Sequence, residues 1–456
     1  RLEQELKQVI LNVGYEYSDG RLSAVNLLNL IVSKLPVELV EKKSQLFFLP
    51  LTMQLANDSS DECRQAVAVC IKSLLGRVSF DICLSLFEYT SRWTESSERL
   101  LRRTALQLYG LFLEASPSFC CRQEVAHRLL SNVEKVLDQL DDNDWQAVYF
   151  ALSSLENLST ECLVDPLDGT HEVFSAAVLN GLVHEHAWVQ LVSNRLLWKH
   201  LITLDPTSFH DMNKASTFLS ESGVLFSLGR NLCSTLFRLS EESSSSSNET
   251  EMTTAVIKSL TWTLGAMQKY PSLCFSDDTA HEDKSPTRWI LKRLSGIAKP
   301  KVRNRRQAVF KCYASFVSSG PHEVIKDNLD CILEPLHRVE LESNNDTSSN
   351  QWQHDRETAT LSAEAELAQE VLRILESKYD DAFLEAYGMV RKKAKSNKEE
   401  RKRQEKSEAA RDPMLAAEQK IHKQMRERKR RKRRVDERRK DRGVGSAKRR
   451  HVNHDD

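Results

Sequence analysis

The chain has 456 residues, of which 40% are apolar and 29% charged, and it contains only 14 Gly and 11 Pro. This length allows a large buried core, and the low Gly and Pro content favours an all-helical chain. With no run of eighteen apolar residues and no secretory signal, the sequence predicts neither a membrane span nor secretion. The ten cysteines include no Cys-x-x-Cys pair, which is typical of the reducing cytosol or nucleus, and adjacent Cys120 and Cys121 are expected to pack inertly.

The net charge of zero hides a strong asymmetry between the two ends of the chain. Residues 391–456 contain 27 Lys or Arg and 12 Asp or Glu, a balance of +15. The other 38 basic and 53 acidic residues leave residues 1–390 with a balance of −15. An asymmetry of this size indicates an acidic body followed by a tail that seeks nucleic acid.

The chain begins with amphipathic helix patterns at Arg1–Val13 and Ser23–Leu35. The next segment, Ser44–Leu75, is the clearest single repeat, because two helices with apolar periodicity flank the polar corner Asn57–Ser60. Asn, Asp and Ser accept hydrogen bonds from the free N–H groups of a helix start, so this corner is expected to cap the second helix. The segment therefore predicts a helical hairpin.

The second helix of this hairpin contains a motif that recurs along the chain. Gln65-Ala66-Val67, Gln146-Ala147-Val148 and Gln307-Ala308-Val309 are each followed by apolar residues three, four and seven positions after the Val. With three looser copies, the middle residues of the motif lie 39, 42, 44, 64 and 53 positions apart. A period near 40 made of two helices is the signature of HEAT and armadillo repeats. The alternative is an irregular helical bundle whose amphipathic helices resemble one another by chance.

These patterns predict an all-α chain in which an α-solenoid of HEAT/armadillo-like helical hairpins occupies residues 1–339. The polar inserts Ser240–Met252 and Ser276–Pro286 are expected to loop out of the array, which explains the two long spacings. The predicted segments that follow are a polar linker at 340–355, a C-terminal capping helix region at 356–388 and a basic, partly helical or disordered tail at 389–456. Because a helical pattern is already present at Arg1, further repeats are expected before it.

No pattern of catalytic or metal-binding residues stands out. The sequence lacks a Gly-rich phosphate loop, a His-Glu-x-x-His pair and a Gly-x-Ser-x-Gly elbow. An exposed corner accounts better for His184 and His186 than a metal site does. Asp141, Asp142 and Asp144 are expected to cap a helix N-terminus rather than to act as paired carboxylates. The sequence therefore predicts a non-enzyme with no cofactor, no metal site and no small-molecule substrate.

The candidate functional residues lie in the tail. No aromatic residue follows Tyr387, so the tail lacks platforms for stacking bases and is expected to bind phosphates with little sequence preference. The candidate nucleic-acid contacts are Arg391, Lys392, Lys393, Lys395, Arg401, Lys402, Arg403, Arg428, Lys429, Arg430, Arg431, Lys432, Arg433, Arg434, Arg438, Arg439 and Lys440. The alternative is that the seven consecutive cations Arg428–Arg434 serve only as a nuclear-localisation signal.

Two segments carry a resemblance to a known family. The first is Phe47-Phe48-Leu49-Pro50-Leu51, followed by Asn57-Asp58 and Cys63-Arg64. The second is in the tail and consists of Phe383-Leu384-Glu385-Ala386-Tyr387-Gly388-Met389-Val390-Arg391, Arg401-Lys402-Arg403, Asp412-Pro413 and Ala416-Ala417. These residues resemble the C-terminal region of the small-subunit processome component 20 family. Members of this family are nucleolar HEAT-repeat scaffolds associated with small nucleolar RNA. Asp412 departs from the family pattern, which has Asn there.

The resemblance implies a non-enzymatic scaffold of pre-rRNA processing and small ribosomal subunit assembly in the nucleus and nucleolus. The implied partners are pre-rRNA, a small nucleolar ribonucleoprotein and other processome proteins, and the basic tail adds a nuclear import receptor. The alternative is a protein–protein adaptor of nuclear transport or chromatin whose tail serves only for import. Deletion of Arg391–Asp456 distinguishes the two, because only the scaffold should lose RNA.

Overall fold

The protein is described here by a computed structural model, which covers residues 2–140, 144–167, 172–204, 219, 223–239, 247–274, 285–300, 302–349, 357–414, 417–418, 420–422, 424–426, 428–429 and 432. The regular structure over these ranges is helical, without a strand. No helix within them is long and apolar enough to cross a membrane. The chain divides into two compact units, Arg1–Phe383 and Leu384–Asp456.

The first unit is built from antiparallel pairs of helices. Its first helices are α1 (Leu2–Val13), α2 (Ser18–Lys34), α3 (Val37–Lys42), α4 (Ser44–Asn57), α5 (Asp61–Leu75), α6 (Phe80–Trp93), α7 (Arg99–Ala115), α8 (Pro117–Cys120), α9 (Gln123–Asp138), α10 (Trp145–Cys162), α11 (Glu172–Leu182) and α12 (Ala187–Thr203). The helices that follow are α13 (Val224–Arg238), α14 (Ser247–Lys269), α15 (Pro286–Ile297), α16 (Arg303–Ser319), α17 (His322–Asp327), α18 (Leu329–Ser349) and α19 (Glu357–Arg411), with a 3₁₀ turn at Pro271–Cys274.

The helix pairs stack into two layers. The second helices of successive pairs, α2, α5, α7, α10, α12, α14 and α16, each pack against the next in the series. The first helices α9, α11, α13 and α15 do the same, with α18 packed after α15. Each pair thus contacts mainly its neighbours, which is the organisation of a solenoid. The predicted all-α solenoid of helical hairpins is confirmed.

The apolar periodicity of α10 explains how a second helix enters the core. Ala151, Leu152, Leu155 and Leu158 are fully buried, as their spacing predicts. Burying each leucine side chain stabilises the fold by about 1.5–3 kcal/mol relative to exposing it. Trp145 and Val148 continue the same spacing toward the start of the helix but are only half-buried. Trp145 instead stacks on His186 of the next repeat, with ring centroids 3.6 Å apart.

Polar side chains start the second helices at the corners between the layers. Ser60 accepts a hydrogen bond from the backbone N–H of Cys63 and so caps α5, as its position in the polar corner predicts. Asp144 caps α10 by accepting from the N–H of Ala147 at 3.2 Å. Asp141 and Asp142, which were expected to share this role, lie outside the described residues.

Charged side chains connect neighbouring pairs at intervals of one repeat. Five ion pairs join residues 40 to 42 positions apart: Lys43–Glu3, Arg128–Glu88, Lys135–Glu95, Lys72–Glu114 and Arg288–Asp330. Their N–O distances range from 2.6 to 3.3 Å. The common separation is the repeat length inferred from the Gln-Ala-Val motif, so each contact marks the register of two adjacent repeats.

The end of the helical array is held by the buried side chain of Arg306. Its guanidinium donates to the backbone carbonyls of Ala298 and Pro300 at 3.1 and 3.0 Å, just beyond the end of α15. It also pairs with Glu342 of α18 at 2.8 Å and lies 3.8 Å from Glu364 of α19. Arg306 thereby connects four elements: α15, α16, α18 and α19.

The first part of α19 packs within the first unit. Val371 and Leu375 are fully buried, and Lys378 donates from Nζ to the carbonyl of Val317 at 2.9 Å. Asp380 then interrupts the helix with a φ of 33°. Helix α18 extends to Ser349, ten residues into the segment whose composition predicts a linker, and 350–356 lie outside the described residues.

The two polar inserts coincide with gaps in the described residues. Helix α14 begins at Ser247, inside the first predicted insert, and residues 240–246 are not described. Most of the second insert, residues 276–284, is also outside the described residues. The structure differs from expectation at Cys121, which forms a disulfide with Cys162 one repeat away, whereas Cys120 is buried with a free thiol.

Candidate nucleic-acid interface

The described side chains of helix α19 are no longer buried from Arg391 onward. Val390 is only 7% exposed, whereas no described side chain from Arg391 to Arg411 is buried. A helix that is polar on all sides is not held by an apolar face, so its side chains are available to other molecules. The helix ends at Arg411, and the N–H of Asp412 donates to the carbonyl of Glu408 at 3.0 Å before Pro413.

The structure locates ten of the seventeen candidate contacts. Arg391, Lys392, Lys393, Lys395, Arg401, Lys402 and Arg403 lie on α19 and are exposed. Arg428, Lys429 and Lys432 are in helical conformation and also exposed. The candidates that lie outside the described residues are Arg430, Arg431, Arg433, Arg434, Arg438, Arg439 and Lys440.

The helix brings only some of these cations together. Arg391, Lys395 and Lys402 share one face with Lys398 and Lys406, because their spacings of 4, 3, 4 and 4 follow the helical period. We call these five residues the cationic stripe. Its first and last residues lie fifteen positions apart, which at 1.5 Å per residue gives the stripe a length of about 22 Å. Lys392, Lys393, Arg401 and Arg403 point to other sides of the helix.

Sequence analysis missed two members of the stripe, Lys398 and Lys406. Both are isolated cations among neutral and acidic neighbours, whereas the candidates were chosen from clusters of consecutive charges. The signal that could have found them is the i, i+3, i+4 spacing from Arg391. By the same periodicity Glu399 lies at one edge of the stripe.

The stripe cations are not engaged in structural ion pairs. Arg391, Lys395, Lys398, Lys402 and Lys406 form no salt bridge with any residue that the structure describes. The guanidinium of Arg391 lies 5.8 Å from the ring centroid of Tyr387, a cation–π contact with the last aromatic residue of the chain. The arrangement can therefore neutralise phosphates along one side of the helix.

The other residues considered for chemistry have structural roles. The backbone N–H of His186 donates to Nδ1 of His184 at 2.9 Å, and the N–H of Trp188 donates to Nδ1 of His186 at 3.3 Å, which caps α12. Burial raises the pKa of Cys70 and Cys312 to about 12, so these thiols stay protonated and unreactive. Within the described ranges, no group of three His, Cys, Asp or Glu side chains could hold a metal ion.

A family model described as small subunit processome component 20 homolog, C-terminal, matches residues 101–437. A relative from Schizosaccharomyces pombe named U3 small nucleolar RNA-associated protein 20 is 30% identical over 239 residues, which are 50% of this chain and 9% of the relative. The Saccharomyces cerevisiae protein of the same name is 23% identical over 457 residues, 96% of this chain and 17% of the relative. The chain thus spans less than a fifth of the length of these relatives.

Two solved structures illustrate the helical-repeat likeness. A designed armadillo repeat protein has 13% identity and a TM-score of 0.31, with 56% of this chain and 99% of that chain covered. The karyopherin Kap121p, solved with the extreme C-terminus of the phosphatase Cdc14p, has 9% identity and a TM-score of 0.33, with 85% and 43% covered. At these scores the likeness adds nothing to the fold that the stacked helix pairs already define.

Proposed function

Because the chain belongs to the family of small subunit processome component 20 homologues, as part of its C-terminal region, we propose that it is a non-enzymatic scaffold of small ribosomal subunit assembly. Its place of action is then the nucleolus, and its RNA partners are pre-rRNA and the U3 small nucleolar ribonucleoprotein. Other processome proteins would bind the helical repeats, and a nuclear import receptor would bind the basic tail. The family and the fold are those of helical-repeat scaffolds.

The observation that carries the RNA role is the cationic stripe. Five cations along about 22 Å of one helix, without ion pairs to described residues, are suited to a polyanion. Each phosphate contact releases condensed counterions, so affinity should fall steeply as salt rises. The stripe has no aromatic side chain beyond Tyr387, and its contacts would position RNA rather than select a sequence.

Salt-dependent binding tests the stripe directly. The test variant carries Gln at Arg391, Lys395, Lys398, Lys402 and Lys406. Its matched control carries Gln at Lys392, Lys393, Arg401, Arg403 and Arg411, five cations of the same helix that point elsewhere. With single-stranded RNA, losing five contacts should lower the slope of log affinity against log salt by about 3.5. The control should lower it less, and equal losses would mean that only the number of charges matters.

Crosslinking in cells distinguishes the scaffold from an adaptor whose tail serves only for import. The chain without Arg391–Asp456, supplied with a foreign import signal, is compared with the full chain by RNA crosslinking and sequencing. The scaffold predicts that crosslinks of the full chain concentrate on small-subunit precursor rRNA and U3 RNA and that the truncated chain loses them. Unchanged crosslinks after truncation would remove the tail from the RNA role.

A further inference from the structure

We infer that the first unit carries a second RNA-binding surface, formed by α13, α15 and the start of α16, which takes single-stranded RNA through both its phosphates and its unpaired bases. This inference rests on the proposed RNA role, and it adds a ligand class that the tail does not provide. The surface consists of Arg230, Phe237, Trp289, Lys292, Arg293 and Arg305, and we call it the basic-aromatic surface.

The first observation is the charge of the three helices. Together α13, α15 and α16 contain nine Lys or Arg and no Asp or Glu. The stretch 285–322, which includes the loop between α15 and α16, is likewise free of acidic residues. This composition stands out because residues 1–390 as a whole have a balance of −15. A basic patch on an acidic body is the electrostatic footprint of nucleic-acid binding.

The second observation is that part of this charge forms no ion pair within the described residues. Arg306 is buried, and Arg288 pairs with Asp330 at 2.7 Å, so these two hold the fold together. Arg230, Lys292 and Arg293 are exposed and form no ion pair with a residue that the structure describes. Cations that the fold does not use are free to neutralise phosphates.

The third observation is that aromatic rings lie among these cations. Phe237 on α13 is 46% exposed, and the guanidiniums of Arg293 and Arg305 lie 5.7 and 4.7 Å from its ring centroid. Arg305 is fixed there, because its Nε–H donates to the carbonyl of Leu239 at 2.7 Å. The half-exposed ring of Phe237 together with these two guanidiniums offers a nucleic acid both a stacking surface and positive charge.

Trp289 extends the same surface along α15. It is 36% exposed and stands edge-on to Phe226 at 5.2 Å between ring centroids. With Arg288, Lys292 and Arg293 it lines a depression of about 330 Å³. Phe226 and Phe237 lie eleven positions apart on α13, which is about 16 Å along the helix.

The combination of cations and aromatic rings indicates whether the bound RNA is paired or unpaired. Bases of a duplex are stacked on each other, whereas those of a single strand can stack on aromatic rings and on planar guanidiniums. The stripe on α19 offers cations but no aromatic residue after Tyr387, so it cannot distinguish paired from unpaired RNA in this way. The basic-aromatic surface offers both, and we assign the preference for unpaired bases to it.

The experiment measures binding of the full chain to a 20-nucleotide oligouridine and to a 20-base-pair RNA duplex. The charge variant carries Gln at Arg230, Lys292 and Arg293. Its matched control carries Gln at Lys34, Lys42 and Arg92, three exposed cations of the early repeats that also lack an ion pair among described residues. The charge variant should lower the salt slope for oligouridine by about 2, and the control should leave it near that of the unaltered chain.

A second pair of variants tests the bases. Phe237→Leu and Trp289→Leu keep apolar side chains but remove the rings, and each should weaken oligouridine binding by roughly 5- to 150-fold while duplex binding changes little. Photo-crosslinking of oligouridine should place crosslinks on peptides of α13 and α15. Thermal melting checks that both variants fold, and the charge variant tests the surface even if one ring proves necessary for folding.

Three outcomes would overturn the inference. Unchanged oligouridine binding in the charge and ring variants, together with its loss in the stripe variant, would overturn the inference and leave the proposed function intact. Ring variants that weaken duplex and single strand alike would remove the preference for unpaired bases. Competition by a 20-residue polyglutamate as effective as that by oligouridine would favour an acidic protein partner. If neither the stripe variant nor these variants alter RNA binding, the proposed function itself fails.

Discussion

The two compact units of the chain use their cations in different ways. In the first unit Lys72, Arg128 and Lys135 each pair with a carboxylate one repeat away. In the second unit Arg391 and the rest of the cationic stripe form no ion pair with a described residue. The number of cations alone therefore does not indicate a binding site. The informative property is a local concentration of cations that form no ion pair with described residues, because isolated cations of this kind, such as Lys34 and Arg92, also occur in the early repeats.

The basic-aromatic surface is the part of the first unit that resembles the second. Its helices contain no acidic residue, and Lys292 and Arg293 lack ion pairs among the described residues, as the stripe does. It differs from the stripe by its rings, Phe237 and Trp289. The contrast is therefore between cations paired within the fold and clustered cations without an ion pair to a described residue, rather than between solenoid and tail.

The largest loss of folding stability is expected when Arg306 is substituted. Arg306→Met replaces the cation with an apolar side chain of similar length, and it removes the charge that lies 3.8 Å from the carboxylate of Glu364, whose side chain is only 2% exposed. Breaking a buried pair in this way costs about 3–5 kcal/mol of folding free energy. Thermal and urea unfolding should show the loss, whereas Lys402→Met in the stripe should change stability by less than about 0.5 kcal/mol. Adding Glu364→Gln to Arg306→Met should restore part of the loss, and a stable single variant would contradict this role.

A pH-dependent effect is expected at Asp58, which is buried beside Arg21. Burial alone raises the pKa of Asp58, but bidentate bonds from Arg21 at 2.9 and 2.7 Å, the N–H of Ser60 and the amide of Gln54 outweigh it, so the pKa lies well below its usual range. A carboxylate with a lowered folded-state pKa stabilises the fold above its unfolded pKa of about 3.9, and this contribution is lost as the pH falls further.

Melting temperatures of the unaltered chain and of Asp58→Asn test this assignment. The variant should melt lower at pH 7, and the difference should shrink as the pH is lowered below about 4. The loss should be smaller than for Arg306→Met, because Arg21 keeps the carbonyls of Tyr15 and Glu16 as acceptors at 3.0 and 2.9 Å. A difference that is constant from pH 7 to pH 3 would show that shape rather than charge is responsible.

Two glycines extend the comparison from charge to packing. A Cβ on Gly181 would collide with Oγ of Ser193 and lie 3.1 Å from its Cβ, because α11 and α12 approach closely there. Gly181→Ala should therefore destabilise the first unit by about 1–3 kcal/mol in thermal unfolding. A Cβ on Gly388 meets nothing within 4 Å, so Gly388→Ala should instead stabilise its helix by about 1 kcal/mol, seen as increased helical circular dichroism. The opposite signs are the test, and a shared sign would contradict it.

The sequence predicts contacts within one helix better than contacts between repeats. The spacing of Leu152, Leu155 and Leu158 was sufficient to place them in the core, since periodicity depends only on neighbours along the chain. Arg306 looks in the sequence like one more exposed cation, and only the fold shows the carbonyls and carboxylates that surround it. The Cys121–Cys162 pairing was missed for the same reason, because it joins residues 41 positions apart.

The candidate nucleic-acid contacts also differ in how far they can be predicted from the sequence. The density of charge after Arg391 is visible in the sequence, and the face shared by Lys398 and Lys406 follows once a continuous helix is given. The approach of Arg293 and Arg305 to Phe237 could not be predicted, because the three residues lie on three different helices. Phe237 precedes the two arginines by more than fifty positions. A basic-aromatic surface of this kind leaves no local motif.

The smallest effect is expected for the ion pairs that connect exposed positions of neighbouring repeats. Arg128 and Glu88 lie 3.2 Å apart with side chains 52% and 50% exposed, so water screens their attraction and both side chains lose entropy on pairing. A double-mutant cycle with Glu88→Gln and Arg128→Gln should give a coupling energy of about 0.2–1 kcal/mol. The coupling should shrink further in 1 M salt, where the Debye length is about 3 Å.

The equivalent cycle at Glu95 and Lys135, paired at 3.3 Å, serves as a second measurement of the same kind of contact. Coupling above about 2 kcal/mol in both cycles would mean that ion pairs hold the repeats together. Weak coupling fits the buried layers instead, where Phe87, Phe112 and Leu129 supply contacts that water cannot screen. On that account apolar burial sets the register of the repeats, and the exposed ion pairs of the first unit add little to it. A cation without a pair therefore costs the fold little and can be retained for binding.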